Sequence, residues 1–318
     1  MPVDRKKITR RLLSALIAVP VATVLLIVGG FYALFYFPQR SNGSLEAPGG
    51  EREYFLFVPS SYNSDNATPL IISLHGAALW PAAQREMSRW NRLAEEEGFI
   101  VVYPSGTWPY GTGTGLLPKF WLLRPEEELD SNLQFLSGLV EKIERDYNID
   151  PARIYANGFS NGAAMAFALS CRFDKPIAAV GTVGAAYDQQ PFQWCGNPRP
   201  MPLIAFHGTA DPIVPYEGGQ QRSSPGTFPS VRSWTADWAA RNGCRPQPKE
   251  SRVAATVARR AYLGCTDGAD VVLYTLDGGG HTWPGGKPLP KWLVGPTNPS
   301  IDATSQMWSF FRQYRAVP

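Results

Sequence analysis

The sequence predicts an α/β domain built on a mostly parallel sheet with helices on both faces. Three observations carry this. Short, uninterrupted apolar runs alternate with helix-like segments, the pattern of parallel strands covered on both sides. Hydrophobic residues make up 44% of the 318 and charged residues 18%, which supplies a sizeable core and excludes a disordered chain. The 29 prolines and 30 glycines cut the chain into short elements, with no long coiled coil or helical repeat.

At 318 residues the chain accommodates one large α/β domain and a targeting segment. Residues 1–11 hold Arg5, Lys6, Lys7, Arg10 and Arg11 and read as a basic cytoplasmic tail. Residues 12–37 carry no charge. As a helix rising about 1.5 Å per residue they exceed the bilayer core. Tyr32, Phe35, Tyr36 and Phe37 crowd the far end as an aromatic belt would. The expectation is a single-pass signal anchor over 12–37, with the rest extracytoplasmic, periplasmic or extracellular. The alternative is a secreted chain, released by cleavage at the small-x-small site Ser41-Asn42-Gly43. Cleaved signals, however, usually have apolar regions of only about 7–15 residues. Residues 38–50 are polar and read as a linker, which leaves 51–318 as the α/β domain.

Within that domain strands are expected at 54–58, 69–74, 99–103, 153–156, 177–183, 202–206 and 271–275. Helices are expected at 84–97, 133–147, 162–171, 231–241 and 303–314. A long Gly/Pro/aromatic loop runs from 104 to 125. The net charge is +3, but the first eleven residues hold five of the 30 Lys/Arg and one of the 27 Asp/Glu, leaving 25 basic and 26 acidic residues. No nucleic-acid partner is implied. The four cysteines, Cys171, Cys195, Cys244 and Cys265, lie in the part expected to be exported, where disulfides persist. Three pairings are possible, and sequence neighbours favour Cys171–Cys195 and Cys244–Cys265. Four free thiols would suit a cytosolic protein better. No C-x-x-C spacing points to a metal.

Gly158-Phe-Ser-Asn-Gly162 is G-x-S-x-G between an expected strand and a small-residue helix, the arrangement of a nucleophile elbow. It projects the Ser160 hydroxyl above the sheet at a helix N-terminus, which favours developing negative charge. A serine needs a base, and histidine is the natural one. Of His75, His207 and His281, the last follows strand 271–275 in a glycine-flanked loop and suits the base. Asp211, just past strand 202–206, suits the acid that orients it, with Asp267 and Asp277 as fallbacks. The chain order is then Ser160, Asp211, His281, that of α/β hydrolases. An oxyanion hole needs two backbone N–H groups. Asn161, after the nucleophile, and Ala77, in the His75-Gly-Ala-Ala loop, are the expected donors. His75 and His207 are expected to hold loops. Trp283 beside the base, and Trp108, Tyr110 and Trp121 in the long loop, are candidates for shaping a substrate cleft, core packing being the alternative.

The stretches Leu74-His-Gly76, Tyr103-Pro104, Gly158-Phe-Ser-Asn-Gly162, His207-Gly-Thr-Ala-Asp211 with Val214-Pro-Tyr216, and Gly279-Gly-His-Thr-Trp-Pro284 resemble the polyhydroxybutyrate depolymerase-like esterases, relatives of feruloyl and acetylxylan esterases. The resemblance covers about 51–317. It implies an α/β-hydrolase fold, carboxylic-ester hydrolysis through Ser160, Asp211 and His281, disulfides, no metal and no cofactor. Two departures stand out. The loop after Gly76 reads Ala-Ala-Leu-Trp where relatives often carry Cys or further Gly and a Gln, and the anchor differs from freely secreted relatives. The expected function is a serine carboxylesterase acting outside the cytoplasm on small or oligomeric hydroxyalkanoate, feruloyl or acetyl esters. The rival readings are a catalytically silent binding module at the envelope and a serine peptidase.

Overall fold

The computed structural model describes residues 29–30, 41–108, 118–186, 199–220 and 227–316. The chain divides into two units, 1–40 and 41–318. In the first, Gly29 and Gly30 alone are described, both helical. The expected anchor over 12–37 otherwise lies outside the described residues, as do Tyr110 and Cys195. Among the described residues no helix is long and apolar enough to cross a membrane.

The second unit is organised by a ten-stranded sheet. Its strands are β1 (Gly43–Ala47), β2 (Gly50–Phe57), β3 (Thr68–Leu74), β4 (Ile100–Pro104), β5 (Ile149–Phe159), β6 (Ala179–Val183), β7 (Leu203–Gly208), β10 (Lys249–Ala254), β11 (Val257–Tyr262) and β12 (Val271–Leu276). Two-residue strands β8 (Gly219–Gln220) and β9 (Thr227–Phe228) pair separately. The spatial order is β1-β2-β4-β3-β5-β6-β7-β12-β11-β10. From β4 to β12 all pairings are parallel, and both flanks are antiparallel. This is the expected mostly parallel sheet.

Strand periodicity explains the two covered faces. On β3, Leu70, Ile72 and Leu74 join a core packed by helices Glu126–Asp146, Asn161–Arg172 and Val231–Arg241. Ile71 points the other way, into a core packed by Pro81–Ser88, Trp90–Glu97 and Ala303–Phe311. Successive side chains alternate faces, so a strand buried on both sides is apolar on both, and a polar exception such as Ser73 is hydrogen-bonded, to Asn157 Oδ1 at 2.9 Å. Every β3 residue is buried.

Three expectations need correction, and one element has no counterpart among them. The linker over 38–50 is partly sheet: β1 pairs with β2 from Gly43↔Tyr54 to Ala47↔Gly50, and Leu45 and Ala47 pack on the core. The expected helix 84–97 is two helices, because Arg89 takes a left-handed φ of 59°. The reorientation lets Met87 and Trp90 both enter the same core. The helix expected from 133 begins at Glu126, with three glutamates in its first turn, where the helix dipole favours them. The hairpin β10–β11 was not expected at all. The charged residues of its outer strand β10 suit the sheet edge they occupy.

Cys244 and Cys265 form a disulfide. It ties the chain just past helix Val231–Arg241 to the chain just past β11. Cys171 is also disulfide-bonded, and its expected partner, Cys195, lies outside the described residues.

Candidate active site

Open parallel sheets bind ligands beyond the carboxyl ends of their strands. Ser160 directly follows β5, Asp211 lies three residues past β7, and His281 five past β12. In the sheet these strands run β5-β6-β7-β12, so the three expected residues rise from one end of adjacent strands.

Ser160 has φ 51° and ψ −121°, a backbone conformation that costs an L-residue about 1–3 kcal/mol. The turn is held from both sides. The Ser160 N–H donates to the Val183 carbonyl at 2.8 Å, and the Ser160 carbonyl accepts from the Ala163 N–H at 2.8 Å. The flanking glycines are sterically required. A Cβ on Gly158 would lie 2.2 Å from the Gly162 carbonyl oxygen, and one on Gly162 would lie 2.3 Å and 2.4 Å from the Leu74 and His75 carbonyl oxygens. The same contact seats the loop after β3 against the start of helix Asn161–Arg172.

His281 is held at its backbone by N–H donation to the Val294 carbonyl, and its ring packs on Phe159, centroids 4.8 Å apart. A Cβ on Gly184, just past β6, would come within 3.0 Å of the His281 Cε1 and Nδ1 atoms. The imidazole therefore sits over the end of β6, against the residue that precedes Ser160. Its Nδ1 lies 2.7 Å from Asp211 Oδ2. Asp211 Oδ1 accepts from the Ile213 and Val214 N–H groups, each at 2.8 Å. One carboxylate oxygen thus fixes the loop while the other faces the imidazole. Burial alone would raise the Asp211 pKa. Hydrogen bonds from His207 and His281 outweigh it and hold the carboxyl well below the ordinary carboxylate range.

His207 stands closer to this machinery than the sequence indicated. Its Nε2 donates to the Val214 carbonyl at 2.8 Å and lies 3.4 Å from Asp211 Oδ2. The i, i+4 spacing of His207 and Asp211 was the available signal. His75 is a loop holder, as expected. Its Nδ1–H donates to the Gly76 carbonyl at 2.8 Å, and its Nε2 accepts from the Gly106 N–H at 2.9 Å. Burial pulls its pKa to about 4, so the ring is neutral at physiological pH.

Asn161 is the first residue of its helix, where a backbone N–H has no intrahelical acceptor. Ala77 is exposed in the turn after Gly76. Two of the four expected cleft aromatics are misassigned. Trp121 and Trp283 are each only 1% exposed, and their indole N–H groups are committed to the His75 carbonyl and the Thr304 hydroxyl. A ring with no accessible face has nothing to offer a substrate. Trp108 is half-buried, 6.3 Å from the Phe120 ring, and Tyr110 lies outside the described residues.

A mostly parallel sheet, a serine on a strained strand-to-helix turn and an Asp–His pair at the neighbouring strand ends define an α/β hydrolase. The profile of the Phospholipase/Carboxylesterase family matches residues 61–224, and the chain belongs to that family of carboxylesterase-type hydrolases. It is similar to Feruloyl esterase B of Piromyces equi, with 30% identity over 245 residues, 74% of this chain and 44% of that protein. It is also similar to the bifunctional acetylxylan esterase/xylanase XynS20E of Neocallimastix patriciarum, with 30% identity over 53% of this chain and 23% of that protein. The chain thus spans less than half the length of either relative. The ferulic acid esterase AmCE1/Fae1A from Anaeromyces mucronatus shares the fold, at TM-score 0.51 and 16% identity over 86% of this chain and 89% of that one.

Proposed function

We propose that the chain is a serine carboxylesterase that cleaves feruloyl-, acetyl- or hydroxyalkanoate-type esters through an acyl-enzyme on Ser160. The observation that carries the reading is the 2.7 Å contact between Asp211 Oδ2 and His281 Nδ1, at the strand ends beside the Ser160 turn. Asp211 fixes the tautomer that leaves Nε2 as the base. Ser160 Oγ attacks the ester carbonyl carbon as His281 Nε2 takes its proton. The oxyanion accepts from the Asn161 and Ala77 N–H groups. The carbon–oxygen bond to the alcohol then breaks, and His281 returns the proton to that oxygen. Water repeats the sequence on the acyl-enzyme, releasing the acid and restoring Ser160. The esterase names of the relatives support the acyl classes.

The site is placed outside the cytoplasm, a reading supported by the Cys244–Cys265 disulfide. Release as a secreted chain, which the disulfide suits, stands beside an uncleaved anchor over 12–37, and cleavage directly after Gly43 is disfavoured. Such cleavage would remove Asn42, whose side chain pairs with both backbone groups of Leu56 at 2.7 Å, and Gly43, the first residue of β1.

A panel of p-nitrophenyl acetate, methyl ferulate and hydroxybutyrate oligomers tests the reading on the full-length chain. Saturable hydrolysis of one of them, abolished by Ser160→Ala, is expected. An intact protein inert toward all three would overturn the substrate assignment. Mass spectrometry of the mature N-terminus tests the anchor, and a chain starting near Ser44 would refute it.

A further inference from the structure

Residues 119–121 reconnect the long loop to the core by passing between two turns that are far apart in sequence. On one side the Lys119 carbonyl accepts from the Ala78 N–H at 2.9 Å, and Lys119 bridges to Leu79. Ala78 is held there at φ 58°, a left-handed conformation that an L-residue adopts rarely. On the other side the Trp121 N–H donates to Asn161 Oδ1 at 2.7 Å, and Asn161 Nδ2 donates back to the Trp121 carbonyl at 3.0 Å. The Asn161 amide is thereby clamped in both directions. The Trp121 indole N–H closes the circuit at 3.0 Å on the carbonyl of His75, the oxygen that sits where a Gly162 Cβ would go.

The support beneath this segment is rigid. Phe120 exchanges both backbone hydrogen bonds with Thr107. Gly106, the residue before Thr107, donates to His75 Nε2. Arg52, buried in β2, places its guanidinium 5.6 Å from the Trp121 ring centroid and 3.9 Å from that of Phe135, and Nη2 donates to the Ser105 carbonyl at 2.7 Å.

We propose that residues 119–121 are a strap that sets both oxyanion donors at once, with Trp121 and the Asn161 side chain as its positioning residues. The inference rests on the esterase reading above for the location of the two donors. Ala77 and Asn161 sit on separate loops, and a tetrahedral oxygen needs both N–H groups within a few tenths of an ångström of one point. Packing of Gly162 on the Leu74 and His75 carbonyls brings the two loops together, but among the described residues no hydrogen bond of that contact is directed at Ala77. The strap fixes the distance between the donors, because one three-residue segment bonds to each loop. It accounts for a buried tryptophan whose two N–H groups are both committed to neighbouring loops, and for an asparagine after the nucleophile whose side chain is held in an amide clamp.

The test uses full-length Asn161→Ala, which deletes the clamp and leaves the backbone N–H, and Trp121→Phe, which deletes the indole bond to His75 and keeps a smaller ring. Each is measured two ways: turnover of p-nitrophenyl acetate, and the rate of covalent labelling by a fluorophosphonate, in which Ser160 Oγ displaces fluoride from phosphorus. Losing a whole oxyanion donor costs about 10²–10³-fold in kcat, so displaced donors should cost about tenfold or more. The expectation is a kcat and a labelling rate lowered in parallel, with KM nearly unchanged, since the lost interaction exists only in the transition state. A merely structural role would lower thermal stability while kcat of the folded enzyme held. Wild-type kcat and labelling in Asn161→Ala would overturn the strap, even if Trp121→Phe does not fold. A wild-type chain that is labelled but hydrolyses no ester would refute the esterase reading, and the strap would then stand or fall on the labelling rates. A wild-type chain that is not labelled at all would overturn both.

Discussion

Asp211 and His281, 70 positions apart in sequence, meet through a 2.7 Å Oδ2···Nδ1 contact made possible by parallel pairing of β7 and β12 in the register Thr275↔His207. The two oxygens of Asp211 do different work: Oδ1 is committed to the Ile213 and Val214 N–H groups and Oδ2 to the imidazole.

That division predicts the behaviour of Asp211→Asn. The amide oxygen can keep the turn, while the amide nitrogen cannot accept from Nδ1–H and so favours the wrong tautomer. Steady-state kinetics should show kcat lower by about 10⁴-fold, with a far-ultraviolet circular dichroism spectrum like that of the wild type. Near-normal turnover would remove Asp211 from the catalytic group.

Two pH windows in stability should be separable. Buried His75, with its pKa pulled from 6.5 to about 4, resists protonation in the folded state. As pH falls from 6.5 toward 4 the unfolded chain takes up the proton first, so stability is full above 6.5 and declines by about 3 kcal/mol across the window. The Asp211 carboxyl is held below its ordinary value. Its contribution is complete above the unfolded pKa of about 3.9 and is lost as pH falls below that. Urea midpoints measured against pH should therefore show two limbs. His75→Gln should flatten the upper one and Asp211→Asn the lower.

Glycine substitutions should divide sharply. Gly162→Ala drives a methyl into the Leu74 and His75 carbonyls, a backbone overlap that should cost about 3 kcal/mol or more. Gly138→Ala, in helix Glu126–Asp146, meets only Leu45 Cδ2 at 3.5 Å and should gain about 0.5–1 kcal/mol from helix propensity. Chemical denaturation of the two variants checks the contrast.

Trp283→Phe should reduce thermal stability through loss of the Thr304 hydrogen bond and leave the preference between acetyl and feruloyl esters unchanged. A shifted preference would return Trp283 to the substrate cleft. Cys244→Ala with Cys265→Ala, which opens a loop of 21 residues, should cost about 3 kcal/mol in the chain-entropy model, read as a lower melting temperature.

The central sheet was legible because each strand buried on both faces carries its own signature. Val101, Val180 and Leu203 are all fully buried, and the runs that hold them are apolar without alternation. The proposed serine, acid and base stood out because each falls a few residues past such a run, with glycine within three positions. The edges were not. β1 alternates half-buried Leu45 with exposed neighbours in a stretch whose composition is that of a linker. β10 carries Lys249, Glu250 and Arg252 because it is the edge strand, which tolerates charge, and β11 beside it carries Arg259 and Arg260 and so lacks an apolar run. The strap was hidden for another reason. Its bonds join Lys119–Trp121 to Ala78 and Asn161 through backbone groups and one amide, and no residue pattern encodes a contact made by a carbonyl. Aromatic residues near the base looked like a cleft, but composition cannot separate a ring that lines a site from one that holds its wall.

The most direct test of the account is the mass of the full-length chain caught during turnover of p-nitrophenyl acetate, beside Ser160→Ala. The account predicts a transient acetyl adduct on the peptide containing Ser160, accumulating in an initial burst and absent from the variant. Turnover with no adduct, or turnover that persists in Ser160→Ala, would contradict it.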